Sequence, residues 1–274
     1  MENYTWLLLT GLLVGTLGTL IGAGGGFVLL PVLLLAYPHA SAETVTSISL
    51  AVVFLNALSG SWAYAKMRRI DYRSGLAFAA ATIPGAILGA LTVDYIPRRL
   101  FNGVFGVLMI AVATYLFCHK TDKIKAVMEI GSRITTRRIV EKDGTVHTFS
   151  YNMKTGIVLS VFVGYISSLL GIGGGIVHVP AMVRLLNFPV HLATATSHFI
   201  LAIMALTGTL VHVAKGSFAQ GGLQQTVFLG IGVLFGAQAG ASLSKHVHGV
   251  WIMRSLAGAL AFVGIRILFT ALQP

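Results

Sequence analysis

Only eight of the 274 residues are acidic, and none of them lies between Thr155 and Pro274. Glu2, Glu43, Asp71, Asp94, Asp122, Glu129, Glu141 and Asp143 all fall at the ends of apolar runs or between them. A cation carrier or proton pump keeps a carboxylate inside the membrane, and no acid here is placed for that. Nor do the acids pair for acid–base chemistry, and no nucleophile–base set accompanies them, which argues against an enzyme. A single cysteine, Cys118, leaves no intramolecular disulfide and no multi-cysteine metal site. No H-x-x-x-H or H-E pair appears among the nine histidines, so neither a metal nor another cofactor is expected. Charged residues amount to 10 %, against roughly 25 % in a soluble domain.

What fills the chain instead is apolar. Hydrophobic residues make up 55 %, gathered into runs of roughly 20 residues, long enough to cross a hydrocarbon core of about 30 Å. The runs are aliphatic and glycine-rich and do not alternate, so they imply helices rather than a barrel. The expected fold class is an all-α polytopic membrane protein in the cytoplasmic (inner) membrane. The opening "MENYTWLLLTGLLVGTL" has no basic n-region and runs on past any cleavage site, so this first segment is expected to stay in place. The net charge of +11 would suit nucleic acid, but its distribution argues against that partner. Eight of the nineteen Lys and Arg lie between Lys120 and Lys154, and four more lie in "KMRRIDYR", Lys66 to Arg73. Such loops belong on the cytoplasmic side by the positive-inside rule, facing anionic lipid headgroups.

The sequence repeats itself. "GAGGGFVLLP" (Gly22 to Pro31) returns as "GIGGGIVHVP" (Gly171 to Pro180), 149 residues later. "ETVTSIS" from Glu43, "ALSGSWAYAK" from Ala57 and "PGAILGA" from Pro84 return in the same order as "ATATSHF", "ALTGTLVHVA" and "FGAQAGA". Two homologous halves, 1–118 and 154–274, are therefore expected around a basic linker, 119–153. Each half has a long glycine-bearing segment (about 5–37 and 155–187) and three further spans. Those spans fall at about 42–65, 74–94 and 98–118, and again at 192–214, 222–243 and 250–272. The pairs Gly85/Gly89 and Gly236/Gly240 read as close helix packing. In the linker, "RRIVEKDGTVHTFSY" alternates around Asp143-Gly144 and reads as a small cytoplasmic β-hairpin.

Trp6 to Tyr37 would make about 48 Å of continuous helix at 1.5 Å per residue, more than one crossing needs. Either the segment crosses once with a break, giving about eight spans and parallel halves, or it folds back at the glycines. Folding back gives up to ten helical segments and inverted halves, and it places Arg184 and Lys245 on the cytoplasmic side. Glycine costs about 1 kcal/mol relative to Ala in a helix interior, so three in a row mark a break, and Pro31 and Pro180 add a kink in the stretch that follows. Within a bilayer such a break survives only where protein or a watery cavity covers it. The helix restarting there presents free N–H groups at its positive end, and glycine lets a ligand approach the backbone.

Gly22, Gly24, Gly25 and Gly26 with Gly171, Gly173, Gly174 and Gly175 are thus expected to form a two-sided anion site. Thr46, Ser47 and Asn56, and Thr196, Ser197 and His198, are neutral groups placed to complete it. Hydroxyls of this kind also bond to their own helix. His198 is a candidate proton carrier as well. Lys66, Arg184 and Lys215 would either draw an anion or snorkel to the interface.

The paired G-x-G-G-G-x-x-x-x-P motifs in a duplicated unit resemble the TauE/SafE family of sulfite and organosulfonate exporters, also called the toluenesulfonate uptake permease family. The resemblance covers essentially the whole chain. It implies a secondary transporter moving sulfite, sulfoacetate or a related sulfonate by alternating access, with the site at the two glycine motifs. A passive anion channel is the alternative. The coupling ion, proton or sodium, stays open, and a homodimer is compatible with the sequence.

Overall fold

The computed structural model describes residues 4–118, 134–218, 222–247 and 249–272. Residues 119–133 of the expected linker thus lie outside the described residues. The chain runs α1 (Thr5–Ile21), α2 (Gly26–Ala36), α3 (Ala42–Lys66), α4 (Tyr72–Thr92), a single 3-10 turn (Val93–Tyr95) and α5 (Arg98–Cys118). It continues with β1 (Ile134–Val140), β2 (Val146–Asn152), α6 (Met153–Leu170), α7 (Gly175–Leu185), α8 (Val190–Ala214), α9 (Gly222–Leu243) and α10 (Gly249–Leu272). Among the described residues, α3, α4, α6, α8 and α9 are long and apolar enough to cross a membrane. The protein is an all-α, multi-pass membrane protein.

The glycines reverse the chain. Gly25 returns alongside Val14 and Gly18 of α1, and Gly174 alongside Val163 and Ser167 of α6. Farther down α7, His178 Nε2 lies 3.1 Å from Ser160 Oγ, and Leu186 reaches Gly156 at the start of α6. α1–α2 and α6–α7 are therefore helical hairpins. The prolines do not end a helix: α2 runs through Pro31 to Ala36, and α7 runs through Pro180 to Leu185. Each proline lacks the N–H that the carbonyl of Phe27 or Ile176 would have received.

The two hairpins open toward opposite faces. The open end of α1–α2 lies near Arg98, whose guanidinium bonds the carbonyls of Leu34 and Ala40, and Tyr4 stacks on Phe228 at 4.6 Å. The open end of α6–α7 lies beside the β-hairpin, where Phe188 meets the rings of Phe149 (4.3 Å) and Tyr151 (5.1 Å). Helix partners recur in exchanged form: α1 packs on α9 and α6 on α4, while α3 pairs with α8 and α5 with α10. Glycines make the first two contacts close. A β-carbon on Gly236 or Gly240 would run into the carbonyls of Leu12 or Thr16, and one on Gly85 or Gly89 into those of Val161 or Tyr165.

Gly236→Ala should therefore lower the thermal midpoint in detergent. Its gain in helix propensity, about 1 kcal/mol, is outweighed by overpacking of about 1–3 kcal/mol against unyielding backbone. Gly103 has nothing within 4 Å of the added carbon. Gly103→Ala should leave the midpoint unchanged or raise it, and equal losses for both variants would contradict this packing account.

The β-hairpin pairs Ile134 with Asn152 through Val140 with Val146, around a loop in which Gly144 has φ +88°. It is bolted to the helices. Arg137 grips the fully buried carboxylate of Asp71 through Nε (3.1 Å) and Nη2 (2.7 Å), and that bond holds the guanidinium above its usual pKa. Ser74 Oγ bonds Asp71 and lies 2.5 Å from Tyr151 Oη. Burial is the main reason the Tyr151 phenol titrates above its ordinary value. At the tip, Lys142 N–H donates to Met67 O at 3.1 Å, and Glu141 takes Arg69 Nε at 2.5 Å and His147 Nε2 at 2.9 Å.

Asp71→Ala removes the buried partner of Arg137 and leaves that guanidinium, itself partly exposed, without its carboxylate. It should sharply accelerate proteolysis within 134–152. Wild-type cleavage rates in that variant would mean that the apolar contacts and the tip bonds from Lys142 and Glu141 hold the hairpin down without it.

Candidate functional site

The two glycine breaks meet at the middle of the molecule. β-carbons on Gly24 and Gly173 would face the same two side chains, Val53 and Leu201, near the midpoints of α3 and α8. The breaks also touch each other reciprocally. A β-carbon on Gly26 would sit 2.5 Å from Ile172 O, and one on Gly175 would strike Gly22 O. Positive φ at Gly22 (+84°), Gly24 (+74°) and Gly25 (+81°), and at Gly171 (+65°) and Gly173 (+65°), turns the chain. Side-chain-bearing residues rarely adopt that region. Gly174, at φ −43°, does not share it, so the two breaks are not identical.

Each break splits a helix into a carbonyl end and an amide end. The carbonyl ends are served by hydroxyls from the opposite half: Ser49 Oγ donates to Gly171 O at 2.5 Å, and Ser197 Oγ to Gly22 O at 3.3 Å. The amide ends are not served. The N–H groups of Gly25, Gly26 and Phe27, and of Gly174, Gly175 and Ile176, make no hydrogen bond among the described residues. These are the first-turn amides that have no carbonyl one turn back, and they carry the positive end of the helix dipole.

Further unengaged polar atoms lie beside them. Thr46 packs on Gly171 and Thr194 on Gly22, and both hydroxyls are buried without a partner. The Ser167 hydroxyl beside Gly174 is likewise unpaired. Leaving such a group unsatisfied costs about 1–3 kcal/mol. Asn56, Thr19 and His198 form a chain: Thr19 Oγ1 donates to Asn56 Oδ1 (3.1 Å) and lies 3.1 Å from His198 Nε2. Tyr64 Oη closes the group on Thr19 O at 2.7 Å.

The remaining sequence-expected residues sit elsewhere. Thr196 Oγ1 accepts from the backbone N–H of Asp71 at 3.1 Å, linking α8 to the β-hairpin dock. Ser47 Oγ bonds Thr44 O of its own helix at 2.8 Å. Lys215 Nζ is held by Asp94 (2.5 Å) and Glu43 (3.2 Å), so acids of the first half neutralise a base of the second. Lys66 Nζ lies 5.2 Å from the Trp62 ring centroid at the end of α3, and Arg184 is in the last turn of α7. None of these three cations touches a break. Ser49 belongs to the hydroxyl cluster that the sequence places just downstream of the first motif, with Thr44, Thr46 and Ser47, whereas Thr19 is not singled out by sequence. A signal existed for Thr19, because "TLIG" before the first motif matches "SLLG" before the second.

Helical hairpins broken at glycines thus sit inside a bundle of apolar helices long enough to cross a membrane. Residues 7–267 match the sequence model of the sulfite exporter TauE/SafE family, and the chain belongs to that family. It is 30 % identical over 273 residues to "probable membrane transporter protein YunE" of Bacillus subtilis, covering 97 % of this chain and 98 % of that protein. It is 23 % identical to "probable membrane transporter protein MJ0441" of Methanocaldococcus jannaschii, covering 94 % and 93 %. "Probable membrane transporter protein YdhB" of Bacillus subtilis is also 23 % identical, with 96 % and 99 % covered. No solved structure matches the chain.

Proposed function

We propose that the protein is a secondary transporter, not an enzyme, that carries a small sulfur-containing oxyanion across the cytoplasmic membrane by alternating access. Sulfite, or a sulfonate such as sulfoacetate, would bind at the two glycine breaks. One observation carries this reading: six unengaged backbone amides lie on two helix N-termini whose glycine breaks touch at the centre of the bundle. Buried amides at a dipole's positive end favour an anion, and paired broken helices at the midplane are how secondary transporters hold one. The neighbouring hydroxyls of Thr46 and Thr194 add donors without adding negative charge. The family's description as sulfite exporters supplies the substrate class.

The reading includes an inverted duplication of two halves, 1–118 and 154–274, which accounts for the exchanged helix contacts and the oppositely opening hairpins. It also puts the β-hairpin face in the cytoplasm. Lys66, Arg68, Arg69, Arg73 and Lys245 lie at the ends of spans on that face, as the positive-inside rule requires. Coupling would be to protons or sodium, with His198 as the proton-carrying candidate.

Flux of labelled sulfite and sulfoacetate in proteoliposomes tests the proposal. Saturable transport of these anions is expected, and preference for neutral solutes or cations would overturn it. Accumulation against a gradient, collapsed by an uncoupler, separates a carrier from a passive channel.

A further inference from the structure

A cavity lined mainly by charged residues lies where the tip of the β-hairpin meets the helices. It holds about 280 Å³ and is lined by Met67 and Arg69 from the α3–α4 turn, Glu141, Lys142 and Asp143 from the hairpin, and Lys245 just beyond α9. Its charges are unevenly engaged. Glu141 is taken by Arg69 and His147. Asp143 is held within its own turn by the Thr145 N–H at 3.0 Å, which keeps its carboxyl below the ordinary range. The cations are left over. Lys142 and Lys245 have no ion-pair partner among the described residues, and Arg69 Nη1 is buried with no hydrogen bond. One cavity is thus bordered by Arg69 and by two lysines that no ion pair engages, with Glu141 paired and Asp143 held ionised in its own turn.

We propose that this cavity binds a small oxyanion group, an inorganic oxyanion or the phosphate of an anionic lipid, and that its occupancy fastens the hairpin to the helices. Arg69 supplies a fixed positive charge, and the two lysines act as mobile point charges that close on the anion from either side. The site exists only while the hairpin is docked, because Lys142 comes from the hairpin while Arg69 and Lys245 come from the body. Binding must therefore disfavour undocking by linkage. Thr196 of α8 is bonded to the backbone of Asp71, whose carboxylate Arg137 of the hairpin grips. The proposal stands independently of which solute crosses the membrane.

Hydrogen exchange of the full chain tests it. Amides of 134–152 are followed in neutral detergent with inorganic phosphate at constant ionic strength, and in nanodiscs with and without phosphatidylglycerol. At tenfold excess over Kd, exchange through undocking should slow about tenfold. The slowing should vanish in Lys245→Gln, which lies outside the hairpin, and in K142Q/K245Q. Slowing by free phosphate assigns a soluble oxyanion, and slowing only in anionic nanodiscs assigns a headgroup. No slowing with either ligand, or equal slowing in the two variants, overturns the proposal.

Discussion

Gly175→Ala is expected to reduce anion flux below about a tenth of wild type. The added methyl has one place to go, and the backbone carbonyl of Gly22 is already there, with the α-carbon of Ala23 at 2.5 Å. A flexible side chain could swing aside from such a clash, but a backbone inside the opposite break cannot. Relief requires the two breaks to separate, which moves the amides of Gly174, Gly175 and Ile176 away from those of Gly25, Gly26 and Phe27. A loss of about 1.4 kcal/mol in binding is already tenfold, and overpacking costs of about 1–3 kcal/mol cover that range. Gly26→Ala should behave alike, since its methyl would meet Ile172 O at 2.5 Å. Gly174→Ala is the informative contrast. Its φ is ordinary, and its neighbours, the Val163 side chain at 2.8 Å and Ser167 Oγ at 3.0 Å, can yield. The larger Gly174→Leu should still abolish transport in a folded protein. Proteoliposome flux, normalised to folded protein by size-exclusion profile, ranks the series. A Gly175→Ala variant transporting as well as wild type would mean the breaks need not touch.

Thr46→Val and Thr194→Val should move stability and function in opposite directions. Each wild-type hydroxyl is buried without a partner beside the other half's break. Replacing it with a methyl removes an unsatisfied group that costs about 1–3 kcal/mol, so the thermal midpoint of the ligand-free protein should rise. If the hydroxyl bonds the anion, the same change should weaken transport by roughly tenfold or more, since every 1.4 kcal/mol is tenfold. A purely structural threonine predicts the first effect without the second. Thr196→Val serves as a control with the opposite stability sign. It strips the Asp71 N–H of its acceptor, so it should loosen the hairpin dock.

How far the sequence anticipates this arrangement depends on the element. The membrane class follows from composition. The glycine breaks follow from a motif that violates helix propensity twice at a fixed offset, and a double violation is hard to read as packing alone. The loop around Asp143-Gly144 is legible because turn chemistry is local. The partners of the breaks are not local. Ser49 reaches Gly171 across 122 residues, and Ser197 reaches Gly22 across 175. Nothing in α3 marks the face on which Ser49 sits, because that helix is buried nearly all round and shows no apolar stripe. The same uniformity hides the fact that Thr194, not Thr196, packs on Gly22. Lys215 misleads for another reason. Its half contains no acid, but the fold brings Glu43 and Asp94 from the other half to meet it.

The central claim is that an oxyanion sits between the two helix N-termini. Selenite has the shape and charge of sulfite and carries a strong anomalous scatterer, so crystals grown with it locate the site directly. The account predicts a selenium peak within hydrogen-bonding distance of the Gly25–Phe27 and Gly174–Ile176 amides, lost in Gly175→Ala. Selenium ordered only elsewhere, with the breaks empty at a concentration that inhibits sulfite flux, would contradict it.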